Sequence, residues 1–478
     1  MPRAKLFILA GTALALTGCS LAPPYSPPVM TVPQAYKETG PWTPASPADA
    51  APRGRWWTVY GDETLNALED KIEAGNPNLA LALARYDEAR ANLAMARASL
   101  VPELDAGGSA LANRQSANRP LRAGGANYYQ NDTIGATLSY EFDLWGRVRN
   151  MVAAGKADAR ASAADVASMR LSLEAQLADA YLNLRGLDAQ SALLDQTTDA
   201  YARALKLTEI LHSGGAVAGL DVGRAQTQLG VTQAALTEIK AQRALYEHAI
   251  AALVGEPASV FSIAPDSKLP PAPRTPVSAP SELLQRRPDI AAAERRTAAA
   301  NAQIGVARAA LYPSLTLSAT GGFQNTGGAN LLSAANSWWA IGPSLAMALF
   351  DGGRRKAVVR ASRDQFDEAA ATYRATVLTA FQQVEDNLTL SNRLADEASQ
   401  QTTAVVAAQK TEALSLVQYK MGAVTYLDVV IAQTADLQAQ QTELSIETRR
   451  LLASVDLVRA LGGGWNPAAP LAPPSAAN

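Results

Sequence analysis

The 478-residue chain contains one cysteine, Cys19, and two histidines, His212 and His248. A single cysteine excludes an internal disulfide, and without clustered Cys or His side chains no metal site is expected. Each histidine stands alone on a predicted helix and reads as an ordinary helix residue, not as a catalytic base. A surplus of either charge is also missing, with 42 basic against 44 acidic residues. This excludes a nucleic-acid partner, because phosphate contacts need a basic surface. The run Arg354-Arg355-Lys356 is a local exception and reads as solvated or headgroup-facing. No nucleophile is paired with a base, and Gly321-Gly322 and Gly327-Gly328 lie in strand or loop context, where they cannot cradle a phosphate. No catalytic residue, enzymatic activity or cofactor is expected.

Proline is absent from Gly146 to Leu211, a stretch rich in Ala, Leu, Arg and Gln. This predicts one unbroken helix of roughly 65 residues, on the order of 100 Å long. It is entered from Thr133 to Trp145, where Ile134, Ala136, Leu138, Tyr140, Phe142 and Leu144 alternate with polar or small residues. Period two gives a strand with one apolar and one polar face. The same junction recurs: Ile341, Pro343, Leu345, Met347 and Leu349 alternate with small residues, and Phe350-Asp351-Gly352-Gly353 opens a second rod reaching Met421. The strand pairs are placed at 103–143 and 314–350, with Gln115 to Asp132 as an exposed loop.

The chain begins with Arg3, Lys5 and the apolar run Leu6 to Leu16, then Leu16-Thr17-Gly18-Cys19. Residues 1–18 read as a removed signal peptide, and the ending resembles the lipobox of bacterial lipoproteins. That resemblance implies diacylglycerol and an N-acyl chain on Cys19, and acyl chains together anchor far more firmly than one. Ser20 in place of aspartate fits sorting to an outer membrane. Residues 19–60, rich in proline, read as an extended tether.

An internal duplication organises the remainder. Pro77 matches Pro288, and Pro102 matches Pro313, each at a separation of 211; Phe142-Asp143 matches Phe350-Asp351 at 208. Gly215-Ala216-Val217 through Leu220-Asp221-Val222 matches Gly422-Ala423-Val424 through Leu427-Asp428-Val429 at 207. The first repeat is placed at 61–255, with long helices 146–211 and 217–253, and the second at 281–461, with long helices 353–421 and 424–461. The proline-rich 256–280 is a linker, and 462–478 a flexible tail.

Along the second rod Val377, Phe381, Val384, Leu388, Ser391, Ala395, Ala398, Thr402 and Val405 step by fours and threes, a coiled-coil seam. Two strand pairs give four strands per chain, and an open strand edge cannot face lipid because its amides and carbonyls lack partners. Copies must close the sheet: two give eight strands, with a filled interior, whereas three give twelve, wide enough for water. Ile134, Leu138, Tyr140 and Phe142 then face lipid, Thr137, Ser139 and Glu141 line water, and Trp145, Trp338 and Trp339 lie near the interfaces. Pro343 is placed at a bulge or a poorly bonded position.

Together Tyr140-Glu141-Phe142-Asp143-Leu144-Trp145-Gly146-Arg147, Leu284-Gln285-Arg286-Arg287-Pro288-Asp289-Ile290, Leu311-Tyr312-Pro313 and the paired turns resemble the TolC-like outer membrane efflux channels, in particular their lipoprotein subgroup. The resemblance implies a homotrimer in the outer membrane of a Gram-negative bacterium. Its twelve-stranded β-barrel continues into a twelve-helix periplasmic α-barrel, with an equatorial belt to which 256–280 contributes. It implies passive conduction of drugs or other small molecules, with a periplasmic adaptor docked on the helix tips and an inner membrane pump of the RND type behind it. By the same resemblance Asp428 forms a cation-selective ring at the aperture, and Asp221 hydrogen-bonds Tyr419 of a neighbouring helix to hold it shut. The residue-level alternative is that both aspartates only cap the returning helices. Gly215, Leu220, Gly422 and Leu427 are the docking candidates, against glycines that only permit a tight turn. The chain departs from some members at Val424, where they carry arginine, and Ile431, where they carry a second acid. The exit duct of a type I protein secretion system shares the fold, and a lipid-anchored periplasmic coiled-coil scaffold without a pore is the alternative of another class.

Overall fold

The computed structural model describes residues 20–33, 35–38, 54–118, 127–273, 286–327 and 330–463. The signal peptide, Cys19, Leu284, Gln285, the end of the proline-rich linker and most of the tail lie outside them. After a 3₁₀ turn (Trp56–Tyr60) come α1 (Glu63–Gly75), α2 (Pro77–Ala98), β1 (Glu103–Arg114), β2 (Tyr128–Phe142), α3 (Arg147–Ser213) and α4 (Gly219–Val254). They are followed by α5 (Pro288–Ala309), β3 (Ser314–Asn325), β4 (Ser337–Ala346), α6 (Arg354–Lys420) and α7 (Tyr426–Ala460). The rods α3 and α6 have 67 residues each. Among the described residues no helix is long and apolar enough to cross a membrane. Two compact units form: Met1–Val29, Arg85–Ser162 and Ala292–Arg374 make the first, and Met30–Ala84, Ala163–Ala291 and Ala375–Asn478 the second.

The first unit carries a four-stranded antiparallel sheet in the order β1-β2-β3-β4. β1 and β4 are its two edges, each with one neighbour among the described residues. β2 begins at Tyr128, within the stretch expected as loop, because Gln130, Asn131 and Asp132 face Ala112, Leu111 and Ala110 in an unbroken ladder. β2 stops at Phe142 and β4 at Ala346, short of the expected 143 and 350, since their partner β3 begins only at Ser314 and leaves nothing further to pair. Pro343 sits in register opposite Leu317, with no bulge. Within one copy β4 has only β3 as a neighbour, so the missing N–H interrupts no ladder between two described strands on both sides.

Each strand-to-rod junction is closed by the aspartate of its Phe-Asp pair. Asp143 accepts the amides of Val148 and Arg149 at 3.0 and 2.9 Å, and Asp351 those of Gly353 and Arg355 at 3.0 and 3.1 Å. These amides open a helix and have no carbonyl of their own, so the carboxylate takes them. Residues 20–29 are not a free tether. The Ser20 hydroxyl donates to Asn150 Oδ1 at 3.0 Å, the Asn301 amide to the Pro23 carbonyl at 2.9 Å, and the Tyr25 hydroxyl to Glu294 Oε1 at 2.7 Å. Gly305 permits this approach, since a Cβ there would come within 2.8 Å of the Ala22 methyl.

In the second unit the 3₁₀ turn replaces extended chain before residue 60, and Trp56, Trp57 and Tyr60 are buried. Asp62 caps α1 by accepting the Leu65 amide at 2.9 Å. The α6 seam buries Val377, Val384, Leu388, Ala398 and Val405, but Leu394 is inside where Ala395 was expected. Stepping by three and then four from Ser391 buries the larger aliphatic group and leaves the small one in solvent. A buried charge network fixes the described part of the linker: Arg243 Nε donates to Asp188 Oδ1 at 2.6 Å and Arg185 Nη1 to the Ala264 carbonyl at 2.8 Å. Asp188 also accepts the Asp266 amide at 3.1 Å. With its charges mutually paired and its carbonyls used as acceptors, the network avoids the large cost of an isolated buried ion.

Glu69 on α1 differs from that network. It is 3 % exposed, and neither carboxyl oxygen has a hydrogen-bond partner among the described residues. Burial, then the Glu174 and Asp70 carboxylates, push its pKa up to about 10, and burial pushes Glu174 up to about 7. The folded state therefore favours the neutral acids, a stabilisation complete below the ordinary carboxylate range and lost as pH rises through those values. Accordingly the unfolding midpoint is expected to fall from about pH 5 to about pH 8. Glu69→Gln, which mimics the neutral acid, should flatten that fall and raise the midpoint at the higher pH. Denaturation of the detergent-solubilised protein checks this, and an identical pH profile for the variant would contradict it.

Candidate functional site

The two helical hairpins, α3–α4 and α6–α7, turn through the same backbone device. The Gly215 amide donates to the His212 carbonyl at 2.9 Å and the Ala216 amide to the Leu211 carbonyl at 2.8 Å. In the second hairpin Gly422 donates to Tyr419 and Ala423 to Gln418, both at 2.9 Å. These paired bonds form a Schellman motif, which needs a left-handed residue. Gly215 and Gly422 supply it with φ of 76° and 73°. A Cβ at either glycine would touch nothing within 4 Å, so backbone conformation and not crowding requires glycine. Leu220 and Leu427 follow in the first turns of the returning helices and are 63 % and 42 % exposed.

Asp221 and Asp428 occupy the same position, the third residue of α4 and of α7. Their carboxylates go to different partners because the residue before each helix differs. Thr425 precedes α7, and its amide and hydroxyl donate to Asp428 Oδ2 at 2.9 and 2.7 Å. These bonds hold the Asp428 carboxyl below the usual carboxylate range, so it is charged at neutral pH. Ala218 precedes α4 and offers no hydroxyl. Asp221 instead accepts from Arg224 Nη1 at 3.2 Å.

Beneath the turns lies an apolar cluster of Ala225, Tyr419, Tyr426 and Val429, flanked by Leu205, Leu211 and Val217. The Tyr419 and Tyr426 rings pack with centroids 5.3 Å apart, tilted by 57°. The Tyr419 hydroxyl is buried with no hydrogen-bond partner among the described residues, and neighbouring Thr208 donates its own hydroxyl to the Ala204 carbonyl at 2.9 Å. Burial, then the Asp221 carboxylate, push the Tyr419 phenol up in pKa. The hydrogen bond between Asp221 and Tyr419 implied by the resemblance is therefore not made in this chain: the two are close enough to interact electrostatically, and Arg224 takes the carboxylate. Sequence reasoning missed Arg224. Its signal was the three-residue spacing from Asp221 along a helix face, which lets the two meet.

The hairpin region thus combines an aspartate at each returning helix, exposed leucines and a tightly packed base. No group of His, Cys, Asp and Glu among the described residues could hold a metal ion.

A sequence model of the family described as "Outer membrane efflux protein" matches residues 68–256 and again 279–463. Pyoverdine export outer membrane protein OpmQ of Pseudomonas aeruginosa is 33% identical over 474 residues, covering 96% of this chain and 97% of the relative. Nodulation protein T of Rhizobium leguminosarum bv. trifolii is 32% identical, with coverage of 96% and 97%. The solved structure of the outer-membrane channel OprN superimposes with a TM-score of 0.85 at 30% identity, covering 94% of this chain and 100% of that one.

Asp428→Asn keeps an oxygen for Thr425 and removes the charge, which separates capping from a role in the pore. The expected outcome is a cation-to-anion permeability ratio that falls toward unity in planar-bilayer recordings. An unchanged ratio would remove Asp428 from the conducting path and leave it a helix cap.

Proposed function

The chain belongs to the outer membrane efflux protein family and is an outer membrane efflux channel extending into the periplasm; on that premise we propose how it closes, gates and docks. Three copies join their sheets into a twelve-stranded barrel, and the long helices continue it as a twelve-helix barrel. The observation that carries this reading is the sheet with two open edges. With four antiparallel strands in sequence, β1 and β4 run in opposite directions, so β4 of one copy can pair antiparallel with β1 of the next and leave no edge for lipid. Three copies give the smallest such ring with room for a lumen.

The two repeats, 61–255 and 281–461, each contribute one strand pair and one long hairpin, a division supported by the family match falling twice on the chain. Cys19 carries the lipid, and the residue after it, Ser20, donates to Asn150 in the first turn of α3. Asp428, charged and exposed, supplies the ring at the periplasmic aperture. Asp221 and Tyr419 contribute to closure through packing and charge and not through a direct hydrogen bond. A periplasmic adaptor docks at Gly215, Leu220, Gly422 and Leu427, whose exposed leucines offer it apolar contacts, and an inner membrane pump of the RND type supplies the energy. The cargo is a small molecule chosen by that pump.

Reconstitution of the lipidated protein into a planar bilayer is expected to give discrete ion-conducting events. A preparation that stays water-soluble and never conducts would overturn the reading.

A further inference from the structure

Both rods begin with basic residues where the helix itself favours acidic ones. Neither first turn carries an acid. In α3 the charges are answered: Arg147 Nε donates to Glu141 Oε1 at 2.8 Å, and Arg149 Nε to Asp143 Oδ2 at 3.0 Å. In α6 only Arg355 is answered, by Asp351 at 3.6 Å, and that carboxylate also serves two backbone amides. Arg354 and Lys356 are exposed and make no ion pair with a described residue.

Arg354 and Arg355 line a cavity of about 400 Å³ in the first unit, together with Trp145, Tyr312 and the carboxylates of Glu141 and Asp143, which Arg147 and Arg149 already pair. Trp145 and Tyr312 stack with centroids 4.7 Å apart, and the Trp145 indole donates to the Pro313 carbonyl at 2.7 Å, which fixes this aromatic wall. Just upstream of the cations, Leu349 and Phe350 are 92 % and 90 % exposed. The place therefore joins the unpaired cation of Arg354, a fixed aromatic wall and, in a single copy, bare apolar side chains, at the end of the strands.

We propose that this cavity is a binding site for the headgroup phosphate of an anionic membrane phospholipid, held by Arg354 with Arg355, while Lys356, outside the lining, adds positive charge nearby. The glycerol region lies against Trp145 and Tyr312, and the acyl chains leave over Leu349 and Phe350. The occupant is a lipid and not a free anion because only a molecule with both a phosphate and hydrocarbon answers the charge and the bare apolar surface together. This site rests on the reading of the chain as a membrane channel.

The test is native mass spectrometry of the full lipidated channel in detergent, titrated separately with phosphatidylglycerol, phosphatidylcholine and inorganic phosphate. The wild-type channel is expected to retain phosphatidylglycerol over phosphatidylcholine, and inorganic phosphate should not displace it. Arg354→Gln with Lys356→Gln removes two surface cations and is expected to weaken phosphatidylglycerol retention by about tenfold or more. Arg354→Lys should retain it, and Arg393→Gln, exposed further along the same helix, should leave it unchanged. Equal retention of the two lipids by the wild type, undiminished retention by the double variant, or displacement by phosphate alone would overturn the site. So would loss of the assembled oligomer in the double variant, which would assign these cations to contacts between copies. Single-channel recording separates the two claims: a conducting double variant with unaltered lipid retention sinks the lipid site alone, whereas a wild type that never conducts sinks the channel reading beneath it.

Discussion

A backbone amide or carbonyl without a partner is costly wherever water is absent, and the chain ends its four-stranded sheet with two rows of them. Within one copy nothing described covers β1 or β4. An isolated sheet of this kind is a liability in water and untenable in lipid, which is why the proposed assembly shares the edges between copies. In that proposal function follows from the same requirement, because closing the sheet with copies of itself encloses a space.

The junctions show how the sheet is joined to the rods. Asp143 and Asp351 take the first free amides of the two 67-residue helices. The recurrence of Phe-Asp at both places is thereby a recurrence of one helix-capping problem. At the opposite ends, Gly215 and Gly422 repeat one solution to another problem, reversing a helix within a few residues. Where the two copies of the repeat diverge, chemistry diverges with them: Thr425 draws Asp428 into the backbone, while Ala218 leaves Asp221 to Arg224.

Much of this was legible because it is periodic or conformationally demanding. The rods are visible as proline-free stretches, the seam as steps of three and four, and the hairpin turns as glycines that no other residue replaces easily. The tops of β1 and β2 were not, since Gln130, Asn131 and Asp132 look like loop residues and are held in the ladder by backbone bonds that ignore side-chain polarity. Leu394 displaced Ala395 because both spacings satisfy a coiled-coil seam and only packing chooses between them. Glu69 lies on the apolar face of α1 with Leu65, Leu68 and Ile72, yet a carboxylate there reads as solvated until packing covers it, and the partner of Asp221 depended on a hydroxyl absent at Ala218. Residues 20–29 looked like a tether because proline-rich chain carries no period, yet Asn150, Asn301 and Glu294 hold it.

The central claim is that β4 of one copy pairs with β1 of the next and that three copies complete the ring. One cysteine placed on each edge tests it directly, beginning with Ala106→Cys on β1 and Ala340→Cys on β4 and scanning neighbouring positions along both strands. Oxidation in the membrane should join chains to one another at a single register and yield denatured species of two and three chains but none larger. A protein that forms no bond between copies at any register, or whose ladder runs on beyond three, would contradict the account.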